Sequence, residues 1–273
     1  MNTLVRLCSS AVAVALLLVI VSAGLHGQTA LEWKESDWSR FESMPVVSVA
    51  TDATWPPMEF YNRDRELVGF DIDLLREIGL RAGFRPEFHT VPWDGIFIGL
   101  AARHYEMIAS SVTVLEERKA TMLFSEPYMQ AAQFLVVRRG DDRITRLEDL
   151  AGEQVGAQIG TTGSRIAGSA GASVRTYDDL GLAIEDLVLG RLRGVVADVA
   201  IVDYYILGHP EYGSLLSVVP APYGVEDYAF AIRRDLTSLR DRIDEALVTI
   251  REDGTLERLK RFWFRNIVPE SGR

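Results

Sequence analysis

From Pro45 onward the chain alternates short β-rich runs with segments of helical period, and it does so in two rounds. Pro45 to Ala50 reads as a strand. Phe70 to Gly83 follows with helical spacing: Ile72, Leu75 and Ile78 step by three, and Leu74 to Ile78 by four. Asp71 is placed to cap that helix and Gly83 to stop it. PEFHTVP reads as a second strand, Trp93 to Ala102 as a second helix, and Tyr105 to Ala109 as a third strand. The stretch TDATWPPMEF reads as a shaped loop, because Pro56-Pro57 fits neither a helix interior nor a central strand. A β-loop-α-β-α-β order implies a largely parallel sheet covered by helices.

The second round starts at Gln133 to Val137, a β-rich run. A helical turn at Leu147 to Leu150, a strand at Gln154 to Ile159 and a helix opening near Thr162 follow. Val174 to Thr176 and Gly194 to Ala197 read as strands, Asp178 to Leu189 and Val199 to Ile206 as helices. Tyr228 to Ile232 is a late strand, and Leu239 to Arg251 and Thr255 to Phe264 are closing helices split by Gly254. The expected fold is α/β with two lobes and a cleft between them. Periodicity leaves open whether the chain crosses between lobes once or twice.

Before this core lies a different kind of segment. Met1 to Leu7 carries one charge, Arg6, and Ala11 to Gly24 is an apolar run. Its length, about 14 residues, falls short of the roughly 20 that span a bilayer. It fits the apolar part of a secretory leader, with Val21 and Ala23 as the small residues before a cut after Ala23. A cut after Ala30 puts Gln28 at the minus 3 position, which is a poorer fit. Residues 1–23 are thus expected as a signal peptide and 24–43 as a linker. Cys8 is the only cysteine and precedes the apolar run, where no lipid-modified cysteine would stand. The mature chain then has no thiol, no disulfide and no thiolate metal site. Without Arg6 the balance is 28 basic to 39 acidic residues, a net charge of minus 11, which opposes nucleic-acid and anionic-lipid partners.

No cofactor is expected. The chain has no G-x-G-x-x-G after its first strand, no phosphate-loop signature, no H-E-x-x-H and no G-x-S-x-G. Polar residues directly after strands stand out instead. Ser110, Ser111 and Thr113 follow the third strand, and hydroxyls at the carboxyl end of a parallel strand face the ligand crevice. Arg118, five residues beyond Thr113, is placed to curl back onto a carboxylate. Gly160 to Ser164 joins a strand to a helix around Thr162, whose amides suit an anion. Asp198 and Asp52 each follow a strand, as acceptors for an ammonium group or as plain helix caps. Trp55 and Trp93 serve equally as core anchors or as ligand walls with cation-π capacity.

Read in order, TDATWPPMEF, VGFDIDLLREIGLRAGF, PWDGIFIGL, ASSVTVLEERK, LFSEPY, VGAQIGTTGS, VVAD and REDGTLERLKRFWF resemble the bacterial extracellular solute-binding proteins of family 3. These are the polar amino-acid capture components of ABC importers. The resemblance runs over about residues 45–265. It implies a periplasmic-binding-protein-like fold with a central ligand cleft and a two-segment hinge. Lobe 1 would be 44–131 plus 228–268, lobe 2 132–227, and 269–273 a tail, with hinges near Gln130 to Phe134 and Val225 to Tyr228. It further implies a monomeric periplasmic protein that binds a small zwitterionic amino-acid-like ligand and docks on permease subunits. Arg118, with Thr113 and the Thr162 amide, would hold the ligand's α-carboxylate. Asp198, with Ser111, would hold its α-ammonium. Trp55 and Trp93 would wall it, Asp52 would meet its side chain, and Ser110 and Gln158 would add contacts. Asp52 suits a basic or amide side chain, and the paired tryptophans also suit a methylated or cyclic one. The rival reading is a cyclohexadienyl or arogenate dehydratase-like enzyme on the same fold, with Glu59 or Asp52 as acid. A sensory solute-binding protein is a third.

Overall fold

The computed structural model describes residues 35–220 and 222–264. The expected leader at 1–23, the first part of the linker and the tail lie outside them. The first element is a helix, α1 (Glu35–Glu42), within the segment expected as linker. Its sequence is mostly polar, but Phe41 is buried and reaches Gly79, and Arg40 donates to the Leu80 carbonyl. One apolar anchor docks a segment whose composition suggests exposure.

Next come β1 (Val46–Thr51), β2 (Thr54–Trp55), β3 (Glu59–Tyr61) and β4 (Leu67–Val68). The stretch expected as a loop is therefore a small three-stranded antiparallel sheet, β2-β3-β4. The prolines sit between β2 and β3, so neither interrupts a ladder. Helix α2 (Phe70–Ala82) ends as expected at Gly83, whose left-handed backbone donates to the Gly79 carbonyl. Its start differs. Asp71 does not cap; the N-cap is Gly69, and the amides of Phe70 and Asp71 donate to the carbonyls of Pro57 and Met58. Then follow β5 (Arg85–Thr90), α3 (Trp93–Ala101), β6 (Met107–Ile108), α4 (Glu116–Lys119) and β7 (Leu123–Phe124).

A ten-residue strand, β8 (Met129–Arg138), carries the chain into a second sheet. There lie β9 (Gln154–Gln158), α5 (Thr162–Ser169), β10 (Ser173–Tyr177), α6 (Leu180–Val188) and β11 (Gly194–Asp198). The helix expected from Val199 is one short turn, α7 (Val199–Ile201), that passes into a π-helical stretch, Val202–Leu207. After α8 (Pro210–Leu215) and β12 (Leu216–Val218), β13 (Tyr223–Tyr228) returns antiparallel to β8. The late strand expected at 228–232 is split: β13 ends at Tyr228, and β14 (Ala231–Ile232) joins the first sheet. Helices α9 (Thr237–Glu252) and α10 (Thr255–Trp263) close the chain.

The two sheets run β5-β1-β6-β14-β7 and β10-β9-β11-β8-β12, with β13 also on β8. In each, the α/β alternation gives a parallel part, β5-β1-β6 and β10-β9-β11, and both gain antiparallel strands beside it. Successive side chains point to opposite faces, so each sheet builds two cores. Val47 and Val49 pack beneath α2, α9 and α10, while Ala50 and Ile108 pack against α3. In the second sheet Val195 and Ala197 pack on α6, while Val196 and Val155 pack with Ala167 of α5. The chain crosses between the sheets twice, through β8 and β13, which answers what periodicity left open.

Candidate ligand-binding site

The parallel strands of both sheets aim their carboxyl ends at one cleft. Asp52 follows β1, Ser110 follows β6, Gln158 ends β9 and Asp198 ends β11. This is where ligands bind on open α/β sheets. All ten residues singled out from the sequence line a cavity here, together with Glu59, Gln133, Thr161, Val196 and Tyr228. The free space enclosed between these side chains is small, about 30 Å³.

Arg118 enters from α4. Its Nη1 donates to the Thr113 carbonyl at 3.0 Å, and its guanidinium lies 4.5 Å from the Phe97 ring centroid and 5.6 Å from that of Trp93. Stacked and planar, it is held with an edge left over for a carboxylate. Glu117, its neighbour, pairs with Arg165 instead. Among the described residues no carboxylate lies within ion-pair distance of Arg118. Burial, and then the charge of Arg165, lower its pKa to about 10. It stays a cation at any physiological pH, and one that lacks an anion.

Asp198 is fully buried. Its Oδ1 accepts from the Ile201 amide at 3.1 Å, so it does cap α7. Its Oδ2 accepts from Trp55 Nε1 at 2.8 Å and from the Tyr228 hydroxyl. The cap expected from its place after a strand thus forms on Oδ1, while Oδ2 takes two protein donors. Burial raises its pKa and the bonds from Tyr228, Ile201 and Trp55 oppose that.

Asp52 closes the far end. Its Oδ2 accepts from Gln158 Nε2 at 2.9 Å and Thr54 Oγ1 at 3.1 Å. Burial pushes its pKa up to about 6, with Asp179 and Asp178 adding to the rise.

The serines are organised by an acid that spacing did not single out as a binding residue. Ser110 Oγ accepts from the Asp52 amide and donates to Glu59 Oε1, both at 2.9 Å. Ser111 Oγ donates to Glu59 Oε2 at 3.3 Å. With its proton on Glu59, the Ser111 hydroxyl keeps its lone pairs as acceptors, while Ser110 already accepts from the Asp52 amide. Ser111 has φ of 48°, a left-handed backbone uncommon for a serine, held by its amide bond to Asp71 Oδ2 at 2.8 Å. Asp71 also accepts from the Tyr128 hydroxyl at 2.7 Å. Burial raises Glu59 well above the usual carboxylate range, and the charge of Asp71 adds to it. Burial likewise pushes Asp71 up to about 7. Tyr228, Gln133 and Val196 come from β13, β8 and β11, and only the pairing of distant strands places them here.

Thr161 caps α5 by accepting from the Ser164 amide at 3.3 Å, which presents the Thr162 end of the helix to the cavity. Among the described residues, no group of three or more His, Cys, Asp or Glu is arranged to hold a metal ion. The cleft thus offers a cation at one place and acceptors at two others, with aromatic rings between them.

Two α/β lobes joined by a crossing pair of strands, with this polar cleft between, define a periplasmic-binding-protein-like architecture. The chain belongs to the bacterial extracellular solute-binding proteins, family 3, whose sequence model matches residues 47–266. It is 28% identical over 226 residues to a probable amino-acid ABC transporter-binding protein of Haemophilus influenzae, covering 82% of this chain and 87% of that one. Among solved structures it is similar to an ancestral arginine-binding protein bound to arginine, with a TM-score of 0.75 and 35% identity over 80% of this chain and 98% of the other. A mutant of ArgBP from T. maritima matches with a TM-score of 0.76 and 32% identity, over 84% of this chain and all of that one.

Proposed function

We propose that this chain is a periplasmic binding protein that captures an L-amino acid with a cationic or amide side chain for an ABC importer. The observation that carries this reading is Arg118, a stacked and half-buried guanidinium facing the cavity with no carboxylate partner among the described residues. A ligand carboxylate would supply the missing anion in a bidentate pair. Asp198 and the outward lone pair of Ser111 suit an α-ammonium, and Trp55 and Trp93 suit the aliphatic stem. Asp52, ionised above about pH 6, suits a cationic or amide end. The arginine-bound relative supports the same side-chain class.

In this reading the leader sends the chain to the periplasm, where it acts as a monomer. Lobe 1 is 44–131 plus 228–268 and lobe 2 is 132–227, hinged at the β8/β13 pair. Closure excludes water and strengthens each charge contact. The closed form docks on the permease subunits, and the ligand leaves chemically unchanged.

A thermal-shift screen of the amino acids identifies the ligand, because binding raises the melting temperature by mass action. The Arg118→Ala variant is then titrated with it by calorimetry. Loss of the charge-assisted pair is expected to weaken binding at least 100-fold, about 3 kcal/mol, while the ligand-free variant still folds and unfolds cooperatively. Wild-type affinity in that variant refutes the carboxylate clamp.

A further inference from the structure

Glu226 lies on β13, one of the two crossing strands, and faces the same side as Tyr228. Its Oε2 accepts from Thr162 Oγ1 at 2.9 Å, Thr113 Oγ1 at 3.0 Å and Gln133 Nε2 at 3.4 Å. Thr113 belongs to the first lobe, Thr162 to the second, and Gln133 to the other crossing strand. One carboxylate oxygen thereby ties both lobes and the hinge together. It takes the Thr113 hydroxyl, one of the proposed carboxylate donors, and the hydroxyl of Thr162, whose backbone amide is another. The charge of Glu226 reaches Arg118 as well.

We propose that Glu226 is a tethered internal competitor: it occupies the donors meant for the ligand's carboxylate and must be displaced before an amino acid binds. The inference rests on the amino-acid reading above. A ligand carboxylate at Arg118 would stand against Glu226 on the neighbouring Thr113 and Thr162 hydroxyls, two anions crowded into one place. Only one of them holds the donors at a time. Docked, Glu226 draws the lobes together; displaced, it swings out along β13, where its neighbour Gly224 has φ of 76° and marks a register shift in the ladder. The competitor also sets selectivity. An amine that lacks a carboxylate has no reason to displace Glu226 and gains a nearby negative charge. Glu226 thus narrows the preference for amino acids over their decarboxylated amines. The apparent dissociation constant scales inversely with the competent fraction, so a residue docked nine-tenths of the time weakens binding about tenfold.

The test uses the mature wild-type chain and Glu226→Ala, with Glu226→Gln as a shape-preserving control. L-Arginine and agmatine, its decarboxylated counterpart, are the probes in calorimetric titrations. Glu226→Ala is expected to bind L-arginine about tenfold more tightly and agmatine no more tightly than wild type, with Glu226→Gln between. Unchanged or weaker L-arginine binding in Glu226→Ala overturns the proposal. Small-angle scattering without ligand provides an arm that needs no ligand at all. Wild type is expected to be compact and Glu226→Ala to have a larger radius of gyration; equal radii overturn the proposal. If no variant binds L-arginine or any other amino acid, the proposed function fails, and scattering still decides the role of Glu226.

Discussion

Asp52 is nearly buried, and its carboxylate titrates at about 6 because burial outweighs the two hydrogen bonds that favour its charge. This has a consequence for binding. A ligand with a cationic side chain needs the ionised form, which dominates above pH 6 and falls to about a tenth at pH 5. L-Arginine affinity is therefore expected to drop about tenfold between pH 7.5 and pH 5.0. Asp52→Asn should weaken binding at pH 7.5 and flatten the profile, which calorimetry at the two pH values measures. A profile equally steep in the variant removes Asp52 from the side-chain site. Asp52 was legible because it follows a strand, as were Ser110, Ser111 and Asp198: position after a β-rich run is a local signal, whereas Gln158, inside a strand, came only from the family resemblance. Tyr228 and Gln133 carried no such signal. They reach the cavity from strands that pair with each other across roughly a hundred residues of sequence, and a local pattern contains nothing about that pairing. Glu226 was hidden for the same reason, although period-2 alternation beside Tyr228 puts both on one face.

The start of α2 shows what a motif reading trades away. An aspartate at the head of a helical pattern suggests a side-chain cap, yet Asp71 is the second helical residue and turns into the protein to bind Ser111 and Tyr128. The helix is capped instead by the Pro57 and Met58 carbonyls of the β2-β3 hairpin. That arrangement needs glycine at the junction. Gly69 has φ of 140°, and a Cβ there would stand 2.1 Å from the Met58 carbonyl oxygen. The oxygen has little freedom to move, because the Asp71 amide bonds to it at 2.9 Å. Gly69→Ala is thus expected to cost about 3 kcal/mol, read as a lower urea midpoint with an unchanged slope. A neutral effect would mean that the hairpin and the helix shift independently. The βα rhythm itself was legible because buried parallel strands and amphipathic helices each impose their own period. The hairpin was not, since two- and three-residue strands are too short to show one, and the prolines dominate the local pattern.

At the level of the two lobes, closure is held by a few polar and aromatic contacts that cross the cleft. Besides Glu226, Gln158 of the second lobe donates to Asp52 of the first, and the Phe60 and Tyr204 rings meet at 5.7 Å. A further such contact is the bond from Trp55 Nε1 to Asp198 Oδ2, whose acceptor is fully buried. Trp55→Phe keeps a ring against the cavity but removes the donor, leaving a fully buried carboxylate with one partner fewer. A hydrogen bond to a charged group is worth roughly 1.5–3 kcal/mol, so the closed form should lose roughly tenfold or more of its population advantage. Scattering should then show a larger ligand-free radius, as it should for Glu226→Ala. The two variants part on affinity. Trp55 closes the lobes without taking any donor from the ligand, so Trp55→Phe is expected to weaken L-arginine binding about tenfold. Glu226 closes them by holding the ligand's own donors, so its removal tightens binding. Equal expansion with opposite changes in affinity separates a contact that cooperates with the ligand from one that competes with it. If Trp55→Phe leaves both radius and affinity at wild-type values, the Trp55 to Asp198 bond does not govern closure.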